Sequence, residues 1–240
     1  MTATLILSPH QDDAALSLWH VLRSDGTVTV INVFAGEPST TELGWWDATT
    51  GATDPQTRAR ERRDEDRAAL ALAGRHPTDL EFLDLQYRAA EQPLQPIVEA
   101  IAASVGPDTS VLAPAGLGGH LDHALVRDAA LALAERGLRV ALYADVPHAA
   151  RDGWPLWVTN GGGGHPPSDA WREDMAGSGI DLGELEPRVH ALDADEATRK
   201  LAALAEYRTQ LPALNDQYLF DERPEALRYE ILWELPAAAP

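Results

Sequence analysis

Thr4-Leu5-Ile6-Leu7-Ser8-Pro9-His10-Gln11-Asp12-Asp13 sets a short apolar run directly before a histidine and two adjacent carboxylates. A run this brief, bounded by polar residues, reads as a buried strand over Thr4–Ser8. The side chains behind it are metal-ligand types. A second run, Val111-Leu112-Ala113, precedes Gly118-Gly119-His120-Leu121-Asp122-His123. Together the two stretches read as one metal site assembled from two strand ends.

Strand-like and helix-like segments alternate outward from there through residue 145. Ala14–Leu22 has helical content, and Val28–Phe34 is β-branched and strand-like. Asp54-Pro55 offers an N-cap followed by proline at the first helical position, with the helix able to run to Gly74. Its charged half, Arg58–Arg67, is expected mostly to form a solvated, salt-bridged face. Leu80–Leu85, Val111–Pro114 and Val140–Ala144 are the expected third, fourth and fifth strands. Pro93–Ser104 and Leu121–Arg136 are the helices before and after the fourth.

This alternation implies an α/β, Rossmann-like three-layer sandwich with a mostly parallel sheet of core order 3-2-1-4-5. Strands one and four are then neighbours at the switch point, where ligands bind beyond the strands' carboxyl ends. Motif and topology choose the same place. Residues 1–240 are expected to form a single domain. Its core is 1–145, followed by a loop-rich substrate or lid region at 146–190. A C-terminal helix (Asp193–Leu211) and late strand (Tyr229–Leu235) occupy 191–240, with Val189–Leu192 as a further strand candidate. The loop region holds Trp154, Trp157, the run Gly161–Gly164 and Trp171. That run lacks the GxxxxGK pattern of a phosphate cradle.

A chain of 240 residues with 45% hydrophobic and 24% charged residues is ordinary for a globular protein. Net charge is −19, with a sequence pI near 4.6. Nucleic acid and anionic membranes are poor partners for such a surface. Cysteine is absent, which removes thiol nucleophiles, disulfides and thiolate metal sites together. Lys200 is the one lysine, so a Schiff base has a single candidate. The first residues lack a secretion-signal pattern and no run is long enough for a membrane span, so a cytoplasmic location is expected.

A hydrolytic zinc site takes three protein ligands and keeps a fourth position for water. His10, Asp13 and His123 supply two imidazoles and a carboxylate, a set that also suits iron, cobalt or nickel. Asp12 then stands beside the open position as a candidate base. His120 lies three residues before His123, on one side of a starting helix, and can face the substrate carbonyl as an imidazolium. Asp122 can orient His120. Each reading has a plainer rival: paired aspartates after a strand often cap a helix, and HxxH arises by chance. His20, His76, His165 and His190 carry no special signal. His148, just after the fifth strand, is the remaining histidine best placed to reach the pocket.

These motifs resemble those of the LmbE-like, or PIG-L, deacetylase family. The first, Pro9-His10-Gln11-Asp12-Asp13-Ala14, is similar to PHPDDE, and the second, His120-Leu121-Asp122-His123, to HxDH. Arg62-x-x-Glu65-x-x-x-Ala69-x-x-x-Ala73-Gly74 resembles the family's helix motif, and Lys200 to Gln210 its K…Y-x-S-Q segment, with Thr209 for serine. The resemblance implies a zinc-dependent hydrolase acting on an N-acetylglucosamine-type amino sugar or glycoconjugate; the acidic composition, not the resemblance, argues against a nucleic-acid or membrane partner. His10, Asp13 and His123 would hold the ion, Asp12 would be the base and His120 the electrostatic acid. Arg62 would approach the sugar or a phosphate on it. Gln11 and Ala14 depart from the family pattern and suggest a subgroup with its own substrate. Loop tryptophans, Trp45 and Trp46 included, are candidates for stacking on a sugar. An amidase for a larger acyl group and a non-catalytic sugar-binding relative are the competing readings.

Overall fold

Leu5, Ile6 and Leu7 are fully buried because strand β1 (Ala3–Ser8) lies mid-sheet, parallel to a neighbour on each side. The structure, a computed structural model, describes residues 3–106, 108–160 and 167–236. After β1 come α1 (Asp13–Ser17), α2 (Trp19–Leu22), β2 (Val28–Asn32), α3 (Trp45–Thr49), α4 (Pro55–Ala71) and β3 (Pro77–Asp79). Next are α5 (Leu94–Ala102), β4 (Thr109–Pro114), α6 (Leu121–Glu135) and β5 (Arg139–Tyr143). The remainder is α7 (Leu156–Asn160), α8 (Asp169–Met175), β6 (Pro187–Ala191), α9 (Ala194–Leu204), α10 (Leu211–Tyr218) and β7 (Tyr229–Glu234). Seven strands form one sheet in the order β3-β2-β1-β4-β5-β7-β6. The first five are parallel in the expected core order, and β7 and β6 add an antiparallel edge.

Several expected elements are moved or broken. The third strand is Pro77–Asp79, not Leu80–Leu85. It is a short edge strand whose first residue is proline, a position the missing N–H permits. Beyond it the chain makes one isolated bridge, Phe34 to Glu81, and turns through Leu85–Tyr87 toward the site. The expected helix Ala14–Leu22 breaks at Leu18. Buried Glu230 accepts the backbone N–H groups of Trp19 (2.9 Å) and His20 (3.0 Å) at that break. The same carboxylate takes Lys200 Nζ at 2.8 Å, so the single lysine is committed to a buried ion pair.

Helix α4 begins as expected, with Asp54 accepting the Thr57 N–H at 2.7 Å and Pro55 in the first turn. It stops at Ala71, and Gly74 takes the left-handed conformation (φ +71°) that lets the chain leave. Its inward stripe is Arg58, Arg62, Glu65, Asp66, Ala69 and Leu70. Four of the nine charged residues in Arg58–Arg67 are therefore buried, while Arg60, Glu61, Asp64 and Arg67 keep the expected solvated face, and the partners of the buried ones explain them. Tyr207 Oη donates to Asp66 at 2.7 Å, and Thr209 gives its N–H and hydroxyl to Glu65 at 2.9 and 2.7 Å. Committing Tyr207 and Thr209 in this way interrupts the expected helix Asp193–Leu211. It becomes α9, with an Asp193/Glu196 capping box, and a separate α10.

The described part of residues 146–190 carries α7, α8 and most of strand β6. In the described part, Trp154 and Trp171 are buried and join Trp157, Tyr229 and Trp233 in an edge-to-face cluster on the sheet. Trp154, Trp171 and Trp233 are core, and the half-buried Trp157 packs against it. Gly161–Gly164 and His165 lie outside the described residues. No helix among the described residues is long and apolar enough to cross a membrane.

Candidate active site

Two loops leave the carboxyl ends of neighbouring strands and meet. In the first, Ser8 Oγ donates to the His10 carbonyl (2.6 Å) and accepts the Ala14 N–H (3.0 Å), which folds the chain back on itself. Asp13 Oδ2 accepts the His10 N–H at 2.8 Å. Asp12 occupies the N-cap position of α1 but its side chain caps nothing. The helix-cap rival therefore does not describe how these carboxylates are used. In the second loop His120 caps α6, with its Nδ1 accepting the Asp122 N–H at 3.2 Å. One turn on, His123 points at His10 and Asp13, beyond the end of β1.

Asp13 Oδ2 lies 3.4 Å from His10 Nδ1 and 3.4 Å from His123 Nε2. Ligands bound at ~2.0–2.1 Å around a tetrahedral ion sit ~3.3–3.4 Å apart, so these two edges already have the right length. All three residues are buried. Each imidazole is aimed by a carboxylate on its other nitrogen. His123 Nδ1 meets Asp145 at 2.7 Å, and His10 Nε2 meets Asp122 at 3.1 Å. A second triangle, His10, His120 and Asp122, shares His10. Asp122 is saturated there by Arg88, the Leu85 N–H and His10.

The expected pairing of Asp122 with His120 is thus corrected: the Asp122 carboxylate serves His10, and only its backbone N–H reaches His120. The charge expected on His120 is corrected too. Burial and the neighbouring His10 and His123 push its pKa down to about 3. With Nδ1 accepting a backbone N–H, the neutral ring carries its proton on Nε2. Asp12 moves the opposite way. Burial and the adjacent Asp13 raise it to about 6, partly offset by Arg62.

These side chains line a cavity of about 320 Å³, with Arg62, Asp84 and His148 in its wall. Arg62 Nη1 pairs with Asp84 at 3.2 Å, while its buried Nε has no partner among the described residues. His148 is held by Tyr218 Oη at 2.8 Å and packs on Gly118, where a Cβ would lie 2.5 Å from that of His148. Trp45, 60% exposed, and Leu121, 62% exposed, stand at the rim. Trp46 is tied down by Gln210 at 2.7 Å. Asp145, Asp84, Arg88 and Tyr218 belong to the site but carry no motif. Asp145 alone had a signal, as an acid directly after β5 at the ligand-binding end of the sheet.

The donor set fits a divalent metal. Burial opposes charge on both ligand imidazoles. Even so, Asp122 and Asp13 hold His10 well above the ordinary value, and Asp13 and Asp145 raise His123. Two such protons supply roughly the charge of one dication. Raised pKa values stabilise the metal-free fold below the unfolded imidazole pKa of ~6.5, and that gain is lost as pH rises through the folded values. A bound dication restores the charge where the imidazoles are neutral. The gain in Tm on adding a divalent metal to chelator-stripped protein is therefore expected to be larger at about pH 8 than at about pH 6. Calorimetry checks this, and equal gains would contradict it.

A doubly wound sheet carrying a two-histidine, one-aspartate site at its switch point defines the class of protein. The chain belongs to the PIG-L family, whose model, described as GlcNAc-PI de-N-acetylase, matches residues 5–134. It is similar to the A40926 pseudoaglycone deacetylase Dbv21, at 29% identity and TM-score 0.70 over 100% of this chain and 99% of that one. It is also similar to a triple mutant of the teicoplanin-pathway deacetylase Orf2, at 26% identity and TM-score 0.73 over 97% of each chain. A structure described as the zinc-inhibited form of Orf2 shares the fold, at 24% identity and TM-score 0.72 over 97% of each chain. No curated protein matches the sequence significantly.

Proposed function

We propose that this chain is a zinc-dependent N-deacetylase that removes an acetyl group from an amino sugar carried on a glycoconjugate. The observation that carries this reading is the buried triangle of His10 Nδ1, Asp13 Oδ2 and His123 Nε2, with the uncapped carboxylate of Asp12 in the same cavity. Nitrogen and oxygen donors at tetrahedral spacing suit zinc. When bound, the ion supplies Lewis acidity, polarising the amide carbonyl and making water a better nucleophile near neutral pH.

The protein's own groups do the rest. Asp12, with a pKa near neutrality, takes the proton as water adds to the acetyl carbon. It returns that proton to the amine nitrogen as the C–N bond breaks, leaving acetate and a free amine. The Nε2–H of neutral His120 donates to the carbonyl oxygen as it gains charge. Arg62, in the cavity wall beside Asp84, offers its positive charge to a substrate oxygen, and His148, steadied by Tyr218, forms another part of the wall. Asp122 holds His10 rather than taking part in proton transfer.

The exposed rim residues Trp45 and Leu121 support a substrate whose sugar is attached to something larger, since an aromatic face stacks on a ring. The A40926 pseudoaglycone deacetylase and the teicoplanin-pathway deacetylase, at 29% and 26% identity, point the same way. The test is acetate release by the zinc-loaded protein from N-acetylglucosaminyl conjugates, set against matched long-acyl analogues. Chelator-reversible release that favours the acetyl compounds is expected. Preference for the long-acyl series would replace the acetyl reading with a larger amide, and sugar binding without hydrolysis would end the catalytic one.

A further inference from the structure

We infer that Arg88 is a positioning residue that selects which of two overlapping triangles the metal occupies. The inference rests on the proposed metal site. His10 belongs both to the triangle with Asp13 and His123 and to the one with His120 and Asp122. The two differ in the state of their carboxylates. Asp13 Oδ2 takes one backbone N–H and faces both imidazoles, whereas Asp122 is engaged on both oxygens and paired with a guanidinium. Arg88 Nη2 donates to its Oδ1, while the Leu85 N–H (3.0 Å) and His10 Nε2 (3.1 Å) share its Oδ2.

Arg88 is built for this task. Its guanidinium is buried, lies 4.9 Å from the centroid of the Phe34 ring and donates through Nη1 to the Leu83 carbonyl at 3.0 Å. Its Nε is buried with no partner among the described residues. The fork is therefore held by the aromatic face, one carbonyl and Asp122. Neutralised in this way, Asp122 is a poor competitor for a dication and a good acceptor for His10 Nε2. That bond turns His10 Nδ1 toward Asp13. The other ligand histidine needs no such guard, because Asp145 meets His123 from outside both triangles and is held by the Leu117 N–H at 3.0 Å.

Without the guanidinium, Asp122 keeps the Leu85 N–H and His10 on Oδ2 but has its Oδ1 and its charge uncompensated beside His10 and His120, and the metal has two competing seats. The test compares wild type, Arg88→Lys and Arg88→Met. Metal affinity is measured by chelator competition, and the ligand field by the visible spectrum of the cobalt-substituted protein. Arg88→Met is expected to weaken metal binding ~10–100-fold, the usual scale for removing a group that orients a ligand. Its cobalt spectrum is expected to change shape. Arg88→Lys, which keeps the charge, should recover most of both. A wild-type affinity and spectrum in Arg88→Met would overturn the inference. If Arg88→Met does not fold, Arg88→Gln is read the same way: an altered cobalt spectrum supports the inference and an unaltered one overturns it. A wild-type protein that binds no metal at all would instead sink the functional reading beneath it.

Discussion

Asp12→Ala is expected to slow acetate release by ~10²–10⁴-fold, the range a positioned general base contributes, while the bound metal is retained. The two halves of that result come from different features. Asp12 neighbours Asp13 in sequence, but its carboxylate faces the cavity and caps no helix, so removing it breaks no structural bond. Asp13 keeps the His10 N–H and its place between the two imidazoles. Losing a negative charge beside the site weakens attraction for a cation only modestly against three intact ligands. The remaining rate reflects what the ion and His120 accomplish without a base. Metal analysis and single-turnover acetate release on the same sample measure both halves. An unchanged rate with metal in place would exclude Asp12 as the base.

His123→Ala carries the other large effect: loss of the metal and, with it, of hydrolysis to background. His123 is buried, supplies one corner of the triangle and is locked in orientation by Asp145. Its removal leaves a one-histidine, one-carboxylate pair and frees Asp145 inside the sheet end. Affinity then falls far beyond the ~10–100-fold expected for a residue that only orients a ligand. Metal stoichiometry after dialysis against a matched chelator is the readout. Retention of one equivalent by His123→Ala would remove it from the ligand set.

Most of what locates the site is written locally. Leu5-Ile6-Leu7 and Val111-Leu112-Ala113 are short apolar runs that read as buried strands, and each is followed within ten residues by ligand-type side chains. His120 then caps α6 and His123 lies one turn into it. The rest depends on long-range contacts that no local pattern encodes. Arg88, Asp84 and Tyr218 are unremarkable in sequence and join the site only when the chain after β3 and helix α10 fold over it. The buried stripe of α4 is misread because burial is inferred from hydrophobicity, while Arg62, Glu65 and Asp66 are buried by pairing. The same blind spot hides the break at Leu18, caused by Glu230 more than 200 residues away. Trp154 and Trp171 mislead in the opposite direction, since irregular backbone around them conceals a packed aromatic core.

The most direct measurement is an anomalous-scattering map from metal-soaked crystals, recorded at the absorption edge of the ion. The expected result is one peak within bonding distance of His10 Nδ1, Asp13 Oδ2 and His123 Nε2, facing the cavity that Asp12 lines. A peak seated among His10, His120 and Asp122, or no peak at either place, would contradict it.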